Sequence, residues 1–287
     1  MNKFPLYYKT FGDKTDPCIL LIMGIGGQLI QWPSALIQGL VKQNFYVVVF
    51  DNRDAGLSED YDHIPTPNIM EVISQLQEGQ SFTPPYTLKD MSSDTVSVMD
   101  ELQIKQAHIL GVSMGGMIAQ LVALDYPEPV LSLICIATTS GDPSLPPPKP
   151  EVLEFFFSPK RQEESLDDYV QNKLQLYKIY NHPSHVDEAA LHDLLIKTYH
   201  RSNKPNGFKR QLLAIMGTKP RMERLKKLSL PTLVIHGDYD PAFPLEHGKQ
   251  LAALIPNSRL EIIEKMGHGL PECLCQQLVD YIVTHVK

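Results

Sequence analysis

Ala107-His108-Ile109-Leu110-Gly111-Val112-Ser113-Met114-Gly115-Gly116-Met117 runs from a short apolar strand, through a serine flanked by glycines, into a segment, Met117 to Leu124, that reads as a helix. A serine on so tight a strand-to-helix turn is pushed into an unfavourable backbone conformation that points its hydroxyl outward, and the glycines permit close backbone approach. The helix that follows sets its positive end and free amides beside that hydroxyl, where a tetrahedral oxyanion would form. Alone, the pentapeptide Gly111 to Gly115 also fits a glycine-rich turn whose serine merely caps a helix. Its chemistry therefore depends on what the rest of the chain supplies.

Outward from this stretch, apolar runs of strand length recur between segments of helical periodicity. Cys18–Met23, Phe45–Phe50, Val130–Ala137, Thr232–His236 and Ser258–Glu264 read as strands, and about Trp32–Gln43, Leu88–Leu102 and Pro271–Val286 as helices. Asp90 and Asp94 stand near the positive end of the second of these helices. This alternation predicts an α/β fold, with a mostly parallel central sheet and helices on both faces. Leu6–Phe11 supplies one further strand, with little room for a hairpin partner before it. Proline density at Asp142–Pro150 (DPSLPPPKP) rules out a regular element and marks a linker. Charged, helix-compatible residues then continue to about Leu228. Residues 142–228 are therefore expected to form an inserted helical cap that splits a core of residues 1–141 and 229–287.

A chain of 287 residues is long enough for one large core with an insertion. An apolar fraction of 43% and a charged fraction of 21% are those of a globular protein. The net charge of −7, without a basic run, excludes the electrostatic footprint that nucleic-acid and anionic-membrane binders need. No uncharged apolar run approaches the length of a membrane span, and Met1–Phe11 lacks the apolar stretch of a signal peptide, so a cytoplasmic location is expected. Cys18, Cys135, Cys273 and Cys275 lie on apolar strands and the last helix and are expected to be reduced. Cys273 and Cys275 would face different ways on a helix, and no second pair has metal-ligand spacing, so neither a metal nor a cofactor is expected. A homodimer is compatible with the chain, which does not specify an oligomeric state.

A serine nucleophile at neutral pH requires a base. In an open α/β sheet reactive groups collect outside the carboxyl ends of the strands, where His268 (Met266-Gly267-His268-Gly269) follows a strand directly. His236 ends its own strand but precedes the turn Gly237-Asp238-Tyr239-Asp240-Pro241, and is expected to support that turn. His182, His185, His192 and His200 fall in the insert at irregular spacing and read as solvated positions. An acid must hold the imidazole tautomer, and the order Ser, Asp, His suits this fold. Asp240, at the carboxyl-end turn and followed by Pro241, fits best; Asp238 and Asp142 are its rivals, and all three could simply cap turns. The oxyanion needs a second backbone donor besides Met114, and the turn Met23-Gly24-Ile25-Gly26-Gly27 can supply it through Ile25. A phosphate-cradling loop is set aside there, because the lysine and Ser/Thr of a Walker motif are missing.

With these motifs in order, the chain resembles the α/β-hydrolase superfamily over nearly its whole length. Within it, Ile22–Gly27 (IMGIGG), Phe50–Ser58 (FDNRDAGLS), Pro85–Met91 (PYTLKDM), Gly111–Gln120 (GVSMGGMIAQ) and Ser140–Pro148 (SGDPSLPPP) are similar to the bacterial branch that includes aclacinomycin methylesterase. The resemblance implies cleavage of a small-molecule carboxylic ester without a cofactor, with Ser113, Asp240 and His268 matching the triad and Ile25 and Met114 the oxyanion donors. Met23 stands where many superfamily members carry histidine, although the methylesterase branch also has methionine there. Arg53 and Asp54 either organise backbone near the oxyanion turn or make surface salt bridges. Phe155, Phe156, Phe157 and the many leucines of the insert suggest an apolar pocket, or simply packing on the core. The same machinery could serve amides, lactones or carbon–carbon bonds, and a non-catalytic binder could use the same fold. A haloalkane dehalogenase is disfavoured, because its chemistry uses aspartate where this turn has serine.

Overall fold

Strands covered on both faces have no polar side to display, so they read as unbroken apolar runs rather than alternating ones. The computed structural model describes residues 5–157 and 165–287, without the side chains of Phe156 and Phe157. Among these residues one sheet contains β1 (Tyr8–Phe11), β2 (Cys18–Ile22), β3 (Tyr46–Phe50), β4 (Ala107–Val112), β5 (Val130–Ile136), β6 (Thr232–Gly237) and β7 (Ser258–Ile263), in the spatial order β1-β3-β2-β4-β5-β6-β7. Edge strand β1 alone is antiparallel, with Tyr8 opposite Phe50. Every other pairing is parallel, as the alternating pattern requires. All residues of β2, β3, β4 and β6 are buried. No strand precedes β1 among the described residues.

Helices cover both faces: α1 (Ser34–Lys42), α2 (Ile69–Gln77), α3 (Leu88–Glu101), α4 (Met114–Asp125), α5 (Pro150–Phe157), α6 (Leu166–Tyr180), α7 (Glu188–Arg201), α8 (Pro205–Met216), α9 (Met222–Leu225), α10 (Leu245–Leu254) and α11 (Cys275–Val286). On one face Leu36 and Leu40 of α1 and Leu278 and Ile282 of α11 pack on Ile19, Leu21, Val47 and Val49. On the other, Met91 of α3, Ile118 and Val122 of α4, and Leu251 of α10 pack on Leu20, Ile22 and Val48. Neighbouring residues of one strand thus serve opposite cores, as the period of two dictates. Each such aliphatic side chain contributes roughly 1.5–3 kcal/mol by burial.

The boundaries show local chemistry at work. Thr87 opens α3 with a capping box: its Oγ1 accepts from the Asp90 amide while Asp90 accepts from the Thr87 amide. The expected first helix starts later, at Ser34, behind a 3-10 turn at Leu29–Gln31. The last splits into a 3-10 turn, Glu272–Leu274, carrying the exposed Cys273, and α11, opened by the buried Cys275. The helix after Ser113 starts at once, at Met114. Helix α2 was not anticipated, although Asn68 caps it and Ile69, Val72, Ile73 and Leu76 fall at helical spacing; Val72 is its one buried residue. Pro150 belongs to α5 rather than to the linker, proline being well suited to a first helical turn.

Helices α5 to α9 are inserted between β5 and β6. Helices α6 and α7 share a small core of their own, formed by Tyr169, Val170, Leu174, Leu191 and Leu195. No described helix is long and apolar enough to cross a membrane.

Candidate active site

Ser113 joins β4 to α4 with φ 56° and ψ −121°. A non-glycine residue in so sparsely populated a conformation costs on the order of 1–3 kcal/mol and persists only where its surroundings over-determine it. They do so here. The Ser113 amide donates to Ile136 O at 3.0 Å, and its carbonyl accepts from Thr138 Oγ1 at 2.7 Å and from Gly116 N at 2.9 Å. The glycines are sterically required: a Cβ on Gly111 would lie 2.1 Å from Gly115 O, and one on Gly115 would lie 2.0 Å from Ile22 O.

His268 lies beyond β7, and its Nε2 stands 2.9 Å from Ser113 Oγ. Its Nδ1 lies 2.9 and 3.1 Å from the two carboxylate oxygens of Asp240, on the turn after β6. An ionised carboxylate can only accept, so the imidazole proton sits on Nδ1 and Nε2 remains an acceptor for the serine hydroxyl. Asp240 Oδ1 also accepts from the amides of Ala242 and Phe243, at 2.8 and 2.9 Å. Burial alone would raise the Asp240 carboxyl, but His268, His236 and the Phe243 amide hold it below the usual carboxylate range. Rings of Tyr180 and Phe243 flank His268, with centroids 4.9 and 5.4 Å away.

The rival acids point elsewhere. Asp238 accepts from the Lys265 amide at 2.6 Å, and Asp142 accepts from Ser144 and Gln250. His236 donates from Nε2 to Phe243 O at 2.7 Å, bracing the Asp240 turn as expected; burial outweighs the nearby carboxylate and lowers its pKa. His182 packs its ring edge-to-face on Tyr239, with centroids 5.0 Å apart.

The glycine turn after β2 presses on the strand-to-helix turn at Ser113: a Cβ on Gly24 would lie 3.3 Å from Ser113 Cβ and 3.8 Å from its Oγ. Gly27 N closes the turn on Gly24 O at 3.1 Å. Among the described residues the Ile25 amide has no protein acceptor, and neither has that of Met114, which opens α4 and so lacks an intrahelical one. A cavity of about 190 Å³ lies over Ser113 and His268. Helix α6 lines it with Lys173, Leu176, Tyr177 and Tyr180, and α7 with Leu194 and Leu195. Phe155 does not line it, and the side chains of Phe156 and Phe157 lie outside the described residues.

Arg53 and Asp54 make ion pairs, but these are sheltered from solvent rather than on the surface, and the Arg53 backbone is tied to the insert. Arg53 pairs with Asp94 at 2.6 and 2.7 Å, while its carbonyl accepts from Gln211 at 2.7 Å. The Asp54 carboxylate is not at the surface: it makes a two-pronged pair with Arg210 of α8, at 2.8 and 2.6 Å, and accepts from Tyr86 Oη at 2.7 Å. Sequence reasoning missed Asp51, Arg201, Arg210 and Gln211. The only local signal was that Arg210 and Gln211 directly precede the apolar run Leu212–Met216 of their helix. Burial pushes the Cys18, Cys135 and Cys275 thiols up to about 12, which leaves them inert as nucleophiles. No group of three or more His, Cys, Asp or Glu among the described residues is placed to hold a metal ion.

The alpha/beta hydrolase fold family model matches residues 17–272, and the chain belongs to that family. It is similar to the rhodomycin D methylesterase of Streptomyces peucetius, with 27% identity over 309 residues covering 100% of this chain and 96% of the relative. The poly(3-hydroxyalkanoate) depolymerase of Ectopseudomonas oleovorans is 36% identical over 204 residues, covering 66% of this chain and 65% of the relative. Among solved structures, a meta-cleavage product hydrolase from Pseudomonas fluorescens IP01 has the same fold, with a TM-score of 0.75 at 20% identity, covering 98% of this chain and 93% of that one. The chain is thus a hydrolase of the α/β-hydrolase fold, broadly related to the methylesterases and other hydrolases of that family.

Proposed function

We propose that the chain is a serine hydrolase that cleaves a carboxylic ester of a small or medium apolar substrate through an acyl-Ser113 intermediate. The hydrogen-bonded line from Asp240 through His268 to Ser113, with a 2.9 Å contact on each side of the imidazole, carries this reading. As Ser113 Oγ attacks the carbonyl carbon, His268 Nε2 takes its proton, and Asp240 stabilises the imidazolium. The negative charge that develops on the carbonyl oxygen is met by the amides of Ile25 and Met114. His268 then protonates the departing alkoxide, and in the second half it deprotonates the water that releases the acid.

The apolar walls from α6 and α7 support an apolar acyl or alcohol group, and similarity to a methylesterase along the whole chain supports ester chemistry. The insert, over residues 142–228, acts as the cap that shapes this space. Ser113→Ala should lower turnover of p-nitrophenyl butyrate by roughly 10³- to 10⁶-fold. Wild-type turnover by folded Ser113→Ala protein would overturn the reading.

A further inference from the structure

The oxyanion turn is not a free glycine loop. Gln211, fully buried on α8, ties together two backbone groups of different core loops: its Oε1 accepts from Gly26 N at 2.7 Å, and its Nε2 donates to Arg53 O at 2.7 Å. Gly26 directly follows Ile25, and its φ of +65° is one that glycine adopts without strain and can readily leave. Two successive peptide planes are therefore held. Gly27 N holds the plane carrying Gly24 O and Ile25 N, and Gln211 holds the plane carrying Ile25 O and Gly26 N. In a trans peptide the N–H points away from the carbonyl, so engaging Gly24 O fixes the opposite direction for the Ile25 N–H.

The helix that presents Gln211 is itself fixed. Arg210, its neighbour, makes the two-pronged pair with Asp54, and a Cβ on Gly207 would lie 2.2 Å from Asp54 O. Phe208 packs so closely on the turn that a Cβ on Gly26 would lie 2.8 Å from its ring.

We propose that Gln211 is a positioning residue for the oxyanion: an amide supplied by the insert sets the aim of the Ile25 N–H of the core. This rests on the serine-hydrolase reading. Removing an oxyanion donor outright costs about 10²–10³ in turnover, so loosening one is expected to cost about 10- to 100-fold.

The test compares Gln211→Met, which keeps length but makes neither bond, with Gln211→Glu, which keeps an acceptor for Gly26 N and loses the donor to Arg53. Turnover of p-nitrophenyl butyrate and inhibition by phenylboronic acid, whose tetrahedral adduct on Ser113 mimics the oxyanion, are measured on protein shown by circular dichroism to be folded. Gln211→Met should lose kcat about 10- to 100-fold with KM within about twofold of wild type, and boronate affinity should fall by a similar factor. Gln211→Glu should retain more of both. Unchanged kcat, a rise in KM alone, or a fall in kcat without weaker boronate binding would overturn the proposal. If Gln211→Met does not fold, Gln211→Asn, one methylene too short to hold both Gly26 N and Arg53 O, is read in its place, and wild-type kcat and boronate affinity in it would overturn the proposal as well. Activity in Ser113→Ala sinks the serine reading instead, so the two failures are told apart.

Discussion

Helix α8 and the pair α6–α7 belong to one insert, yet they are held by opposite kinds of force. Helix α8 and the end of α7 are bolted to the core by charge: Arg210 to Asp54, Arg201 to Asp51 at 2.6 Å, and Lys204 to Ser58 O at 2.6 Å. Arg210 and Asp54 are 1% and 0% exposed, so neither charge has water to fall back on. Helices α6 and α7 instead meet each other through an apolar cluster separate from the main cores. Charged hydrogen bonds demand one geometry, whereas apolar contact is non-directional and tolerates sliding. The contrast divides the insert: the part that braces the glycine turn after β2 is held by directional bonds, and the part that walls the cavity is held largely by apolar contact.

The harshest way to break this contrast is Asp54→Ala, which takes the two-pronged partner from the buried Arg210 guanidinium and leaves it only the exposed Asp62 carboxylate, at 2.7 Å, and the Thr66 hydroxyl, at 3.2 Å. It should cost about 3–5 kcal/mol in urea unfolding. The double variant Asp54→Leu with Arg210→Met should recover most of that loss; an equal loss in the double would show that charge is not what bolts α8. A gentler probe is Leu191→Ala in the α6–α7 cluster, expected to cost about 2–4 kcal/mol. Hydrogen exchange on that variant should open α6 and α7 before α8, and simultaneous opening of all three would erase the distinction.

Acid sharpens it least, and in two stages. Burial holds His108 down to about 4, whereas the unfolded chain takes that proton near 6.5. Over that window the unfolded state binds more protons, so stability falls as pH drops. Asp54 provides the second stage. Burial would raise its carboxyl, but Arg210, the Tyr61 amide and Tyr86 bring it below the ordinary range. Its contribution is complete above about pH 4 and is lost as pH falls through the folded value. Melting curves across pH should show the lower stage shrink in the Asp54→Leu, Arg210→Met double variant while the upper one stays.

What could be read before the fold was known follows from the range of the interactions. The strand runs, the glycine-flanked serine and the Ser, Asp, His order are patterns along the chain, and the structure brings Ser113, Asp240 and His268 within hydrogen-bonding distance. Asp238 and Asp240 differ only in what their turn does: Asp240 is drawn inward by the amides of Ala242 and Phe243, while Asp238 is taken by Lys265. No pattern announces that. Gln211 to Gly26 and Arg210 to Asp54 span 185 and 156 residues, and their partners carry no matching local signature. Helix α2, by contrast, was legible: Asn68 and the spacing of Ile69, Val72, Ile73 and Leu76 are local signals of a capped amphipathic helix, although only Val72 is buried.

One exception to the apolar hold on α6 is its final turn. The His268 amide donates to Tyr180 O at 2.8 Å, and Gly267 passes so near that a Cβ there would lie 1.9 Å from the same oxygen. The loop that carries the imidazole thus hangs from the insert as well as from the sheet. Grafting a foreign insert onto this scaffold would not be a clean exchange of substrate preference, because the graft would also inherit the task of seating the imidazole. On the proposed mechanism, selectivity and reactivity would be joined at a single carbonyl, Tyr180 O.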